Sequence, residues 1–262
     1  MTDNETLKRT FEAYLEEAAG EAFYGWNFDY VVKTGRMIEA PVKWNYYNVV
    51  LPRLAGVETM LDMGTGGGEI LSTFKPLPPV TCATEQYQPN VPVARERLEP
   101  LGVKVFEIEE EKEPPYNRDL PFDDNFFDLI INRHEAYYPP ELKRILKPGG
   151  HFITQQVANA NLLNLMQFFL NKPPKFGNWN LMSAVDELTS SGFEIIEQQE
   201  DIQHYRFYDV GAIAYFLKVI PWTVPGFTID KYRDRLWDMH LRIDRDGYFD
   251  TPRHRILIIA RK

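Results

Sequence analysis

Leu61-Asp62-Met63-Gly64-Thr65-Gly66-Gly67-Gly68-Glu69 is the stretch of this chain that decides its fold. Thr59-Met60-Leu61-Asp62-Met63 is a short apolar run that stops at a glycine cluster, the pattern of a buried strand. A helix is predicted over residues 69–74. Glycines between such a strand and helix allow a tight turn, let a ligand approach the backbone, and leave the first helical N–H groups free. The turn is therefore the candidate ligand site.

Outward from this turn the pattern repeats. Residues 80–84 read as a second strand ending at Glu85, residues 91–98 as a helix and residues 103–106 as a third strand. The acidic, Pro-containing run 107–119 reads as a loop. Residues 127–132 form a predicted fourth strand, 140–146 a helix, 152–157 a fifth strand, 181–190 a helix, 193–197 a sixth strand and 255–260 a seventh. Strands alternating with helices predict βαβ units and a doubly wound, mostly parallel α/β sheet. Upstream, Leu7, Phe11, Tyr14 and Leu15 fall on one helical stripe within residues 4–20. Residues 22–48 are dense in aromatics, including Tyr24, Trp26, Trp44 and Tyr46, and read as two further helical segments, either core or a lid.

The expected layout is a single domain with a helical cap at 1–52, a core at 53–200, an aromatic insertion at 201–252 and a last strand at 253–262. At 44% hydrophobic and 26% charged residues, the chain is not disordered. Its net charge of -9 argues against a phosphate-backbone substrate. The lone Cys82 makes neither an internal disulfide nor a cysteine zinc site, so an intracellular, cytoplasmic protein is expected. Residues 1–20 lack an apolar run after a basic start, and no membrane-length apolar stretch is present, so neither leader nor membrane partner is expected.

Two cofactor classes use such a glycine turn. The dinucleotide pattern Gly-x-Gly-x-x-Gly fails from Gly64, where it needs glycine at Glu69, and from Gly66, where it needs glycine at Leu71. The stretch instead places Asp62 two residues before Gly64-x-Gly66-x-Gly68. Glu85 ends the second strand, where an acid can accept from ribose hydroxyls. Leu120-Pro121-Phe122 leads into Phe127-Asp128-Leu129, and Arg144-Ile145-Leu146-Lys147-Pro148-Gly149-Gly150 precedes the fifth strand. These four segments, in this order over residues 55–160, resemble the class I methyltransferases of small-molecule type. The resemblance implies a seven-stranded Rossmann-like sheet with an antiparallel last strand, and S-adenosyl-L-methionine as cofactor. It implies a cofactor set of Asp62, Gly64, Thr65, Gly66, Gly68, Glu85, Gln86 and Asn132. The family's short adenine-binding segment is replaced here by the longer run 107–119, so no adenine contact is assigned.

Ligands of open α/β sheets lie outside the carboxyl ends of the strands. That places Asn132-Arg133-His134-Glu135 and one of Gln155 and Gln156 beside the methyl group. His134 is the candidate general base, the alternative being a histidine satisfied by backbone. Arg133 is a candidate for neutralising an acidic substrate, the alternative being an ion pair with Glu135. Aromatics around Tyr205–Phe207, Trp222 and Phe227 read either as a wall over an apolar substrate or as a packing layer. His204, His240 and His254 lack metal-ligand spacing, so no metal is expected. The expected function is methyl transfer to a small-molecule acceptor by a monomer or homodimer. An RNA or protein methyltransferase and a non-catalytic S-adenosylmethionine-binding protein are the alternatives.

Overall fold

The computed structural model describes residues 3–23, 28–109, 117, 119–170 and 179–262. Tyr24 and Trp26 of the aromatic N-terminal run, and most of the loop expected over 107–119, lie outside the described residues. The chain divides into two compact units.

The larger unit comprises Val42–Ala158, Asn178–Asp201 and Arg255–Lys262. Its strands are β2 (Thr59–Met63), β3 (Val80–Glu85), β4 (Lys104–Glu107), β5 (Phe127–Arg133), β6 (Leu146–Val157) and parts of β7 (Glu194–Phe207) and β8 (Phe249–Arg261). They lie in the order β7-β8-β6-β5-β2-β3-β4. The pairs β2–β3, β3–β4, β2–β5 and β5–β6 are parallel. The pair β6–β8 is antiparallel, as the resemblance implied. From β2 the chain winds outward through β3 and β4, then returns to the other side of β2 as β5. Such a reversal marks where open α/β sheets bind ligands, in the crevice region beyond the carboxyl ends of β2 and β5. The interior strands are apolar because both faces are covered: Met60, Leu61, Leu129, Ile130, Ile131, Phe152 and Ile153 are buried.

Two sequence segments owe their form to one side chain. Arg144, in α5 (Pro139–Ile145), donates to the carbonyls of Leu120 at 3.0 Å and Phe122 at 2.7 Å. It also pairs with Asp124 at 2.8 Å and Glu141 at 2.6 Å. Glu141 in turn accepts from the Leu120 N–H at 2.8 Å. The Leu120 segment is thus fastened to the helix that leads into β6. Lys147-Pro148-Gly149-Gly150, which the sequence places ahead of the fifth strand, is the first part of β6, with Gly149 at φ 79° where the chain bends.

The helix expected over residues 69–74 does not form. Residues Leu71–Thr73 make a single 3-10 turn instead. Three successive glycines precede it, and Pro76, Pro78 and Pro79 follow within a few residues, so neither end can propagate a helix. The helix α4 (Val91–Leu98) follows β3 as expected, with Pro92 inside its first turn.

The smaller unit comprises Met1–Pro41, Asn159–Gly177 and Ile202–His254. It contains α1 (Asp3–Gly20), α2 (Asp29–Val32), α6 (Leu163–Leu170), α8 (Val210–Val219) and α9 (Arg233–Asp246). It also holds β1 (Met37–Glu39), paired antiparallel with the distal half of β7. The strand β1 is an eighth, one more than expected, and it replaces part of the helix expected within residues 22–48. Phe11 and Leu15 of α1 join Tyr205, Phe207, Tyr215 and Phe216 in this unit's own core. Gly211 permits the close approach of α1 and α8: a Cβ there would stand 2.7 Å from the Tyr14 carbonyl oxygen. Asp209 caps α8 through the Ala212 N–H at 2.8 Å, and both its oxygens accept from Arg36 at 2.7 Å. Tyr205, Phe207 and Phe227 of the aromatic insertion therefore pack inside this unit. Among the described residues, no helix is long and apolar enough to cross a membrane.

Candidate functional site

The crevice between β2 and β5 collects the residues singled out in the sequence. The glycine turn is backbone-driven: Gly64, Gly66 and Gly68 have φ of 62°, 63° and 78°, the left-handed region that favours glycine. Asp62 is buried and its Oδ2 accepts from the Thr65 hydroxyl at 2.7 Å. Glu85 closes the turn from β3. One carboxylate oxygen accepts from the Gly66 N–H at 2.6 Å, the other from the Tyr87 N–H at 2.8 Å. Glu85 thus also shapes the glycine loop, while a carboxylate keeps lone pairs for further donors. Gly68 serves packing instead. A Cβ there would meet the Leu98 side chain at 2.7 Å, so its bareness lets the turn close against α4.

The sequence places Glu135 after the fourth strand, beside the expected methyl group and as a possible ion-pair partner of Arg133. Its carboxylate turns instead to the Gln86 amide at 3.0 Å and the Asn117 amide at 3.2 Å. Its side chain lies over Gly64, where an added Cβ would stand 2.5 Å from the Glu135 Cγ. Arg133 is exposed at the end of β5. Asp62, Glu85 and Glu135 together form an acidic lining. Burial, aided by the Glu85 charge, pushes the Asp62 and Glu135 carboxyls up to about 7. Burial raises Glu85 as well, against the hydrogen bonds from Tyr87 and Gly66.

On the β5 side, Asn132 is fully buried. Its Oδ1 accepts from Thr154 at 3.0 Å and from Gln156 at 2.6 Å. That fixes the amide orientation, and its Nδ2 has no hydrogen-bond partner among the described residues. Gln156 also donates to the Glu135 carbonyl at 2.7 Å, which holds the loop after β5. Gln155 faces elsewhere, toward Trp44 at 2.8 Å and His134 at 3.1 Å. The two glutamines thus take separate partners, as alternation along a strand requires. The Tyr46 hydroxyl donates to the Asn132 carbonyl at 3.2 Å. His240 and His254 are used internally, beside the Leu7 carbonyl and the Ala160 N–H.

Residues 61–154 match the methyltransferase domain family, the segment that carries this crevice from Leu61 to Thr154. Residues 61–154 carry a methyltransferase domain. Methyl transfer is the chemistry of this domain family. A protein-L-isoaspartate O-methyltransferase of Brucella anthropi is 25% identical over 162 residues, 62% of this chain and 71% of its own. A candidate methyltransferase of Bacillus halodurans superposes with a TM-score of 0.58 at 20% identity, over 83% of this chain and 98% of that one. An S-adenosylmethionine-dependent methyltransferase of Mesorhizobium loti does so with a TM-score of 0.51 at 15% identity, over 84% and 97%. At these identities the structures speak for the shared Rossmann-like fold.

Proposed function

We propose that this methyltransferase methylates a small-molecule acceptor and holds its cofactor between the Gly64–Gly68 turn and the end of β5. The carrying observation is the acidic lining of Asp62, Glu85 and Glu135 around a left-handed glycine turn. The residues present suit the cofactor. S-adenosylmethionine bears a sulfonium and an ammonium, which carboxylates favour, and its ribose hydroxyls suit the lone pairs of Glu85. The unpartnered Nδ2 of Asn132 adds a buried donor that a polar ligand would satisfy. When bound, the cofactor supplies an activated methyl group. The protein's own residues hold that end of the crevice still and align the acceptor beside it. Arg133, the last residue of β5, and His134, just after it, are the acceptor-side residues in this reading.

The acidic lining gives the cofactor's affinity a sign in pH. The Asp62 and Glu135 carboxyls are largely protonated at pH 6 and largely ionised at pH 8. A cationic ligand binds the ionised forms, so binding releases protons and strengthens as pH rises. The expected gain from pH 6 to pH 8 is up to about tenfold for each carboxyl that must ionise. S-adenosylhomocysteine, which lacks the sulfonium charge, should gain less. Calorimetry in buffers of different ionisation enthalpy measures both; an affinity that falls with pH contradicts the arrangement.

The acceptor side has its own test. His134 has φ 66°, a conformation asparagine tolerates, so His134→Asn preserves the backbone. Cofactor affinity should stay unchanged while methyl transfer into a small-metabolite extract, followed with an isotopic methyl label, drops by about 100-fold as the acceptor loses a residue that aligns it. Label appearing only in added protein would instead favour a protein acceptor, the class named for the Brucella relative.

A further inference from the structure

His134 is not alone at its ring. Its Nε2 lies 3.1 Å from the Gln155 side-chain nitrogen. The other end of that amide is fixed independently, because the Trp44 indole N–H points at the Gln155 oxygen at 2.8 Å. An indole nitrogen only donates, so the atom facing Trp44 must be the amide oxygen. The atom facing His134 is then the NH2, which also only donates. His134 Nε2 must therefore accept, and in the neutral ring the proton sits on Nδ1. Trp44 and Gln155 are both buried, so neither turns freely. The backbone adds a clamp: the His134 N–H donates to the Gln155 carbonyl at 2.9 Å, in the left-handed region at φ 66°.

We propose that Trp44 and Gln155 are positioning residues that lock His134 as a neutral imidazole, protonated on Nδ1 and with its Nε2 lone pair already engaged. This rests on the reading that His134 stands on the acceptor side. It revises the role expected from the sequence, because a ring whose lone pair is taken is not poised to remove a proton. The methyl acceptor is then a nucleophile whose electron pair is available at neutral pH. That pair forms the new bond to the methyl carbon, and the carbon–sulfur bond breaks with its pair remaining on sulfur. Any proton on the acceptor leaves to water.

The tautomer is directly observable. The protein has five histidines, so long-range proton–nitrogen correlation spectra of ring-labelled protein resolve them, and His134→Asn identifies the His134 signals. At pH 8 the expected pattern is a single Nδ1–H ring. Gln155→Glu keeps an acceptor for Trp44 but presents a carboxylate oxygen to Nε2, and should convert the ring to Nε2–H or imidazolium. Trp44→Phe frees the amide to flip and should yield a mixture. An Nε2–H ring in the wild type, or a Gln155→Glu spectrum identical to wild type, overturns the lock. Its failure is separable from that of the acceptor-side reading, which falls if His134→Asn turns over at the wild-type rate.

Discussion

Gly66→Val is expected to abolish measurable S-adenosylmethionine binding in a protein that still folds. Gly66 has φ 63°, and a β-branched side chain is a conformational outlier there. Holding a non-glycine residue in that region costs about 1–2 kcal/mol, and more for valine. The turn relaxes by moving Gly66, and the N–H bond to Glu85 at 2.6 Å is what moves with it. In the proposed site the new side chain would also stand where the backbone meets the ligand. The expected loss is at least about 100-fold in affinity, equivalent to about 2.7 kcal/mol. Gly66→Ala should fall between the two. Calorimetric titration gives the affinities and circular dichroism confirms the fold; wild-type affinity in folded Gly66→Val removes the turn from the cofactor site.

Glu85→Ala should damage both stability and binding. Glu85 is buried, and its two oxygens satisfy the N–H groups of Gly66 and Tyr87. Truncation leaves two backbone donors without their acceptor, at about 1–3 kcal/mol each if they stay buried. That is a large part of the ~5–15 kcal/mol by which such a domain is stable. The melting temperature should fall by several degrees, and cofactor binding should disappear because the turn loses its brace and the ribose its acceptor. Glu85→Gln separates the two effects. It keeps the volume and one acceptor, so it should recover most of the stability and only part of the affinity. Equal binding by wild type and Glu85→Ala would deny Glu85 any part in the site.

The strand–glycine–strand core was legible because its signals are local. Leu61 to Glu69 and the apolar runs at β3, β5 and β6 carry their own punctuation. The antiparallel last strand followed from the resemblance. The helix after Gly68 was misread because the prolines beyond residue 75 and the three glycines before it outweigh a short apolar pattern. The strand β1 was missed because its pairing with β7 joins residues 37–39 to 205–207, a contact no local window contains. The same reason hid the partners of Glu135: its position after the fourth strand is legible, but only folding brings Gln86 and Asn117 to it. Residue type suggests His134 as a base; the partners behind the proposed tautomer, Trp44 and Gln155, lie 90 and 21 positions away in sequence, beyond any local window.

The most direct test of the proposed site is calorimetric titration of the wild-type protein and Gly66→Val with S-adenosylmethionine, S-adenosylhomocysteine and NAD. Micromolar binding of the first two by wild type alone, with none of NAD by either protein, is the expected result. Binding of NAD, or equal binding of S-adenosylmethionine by both folded proteins, would contradict it.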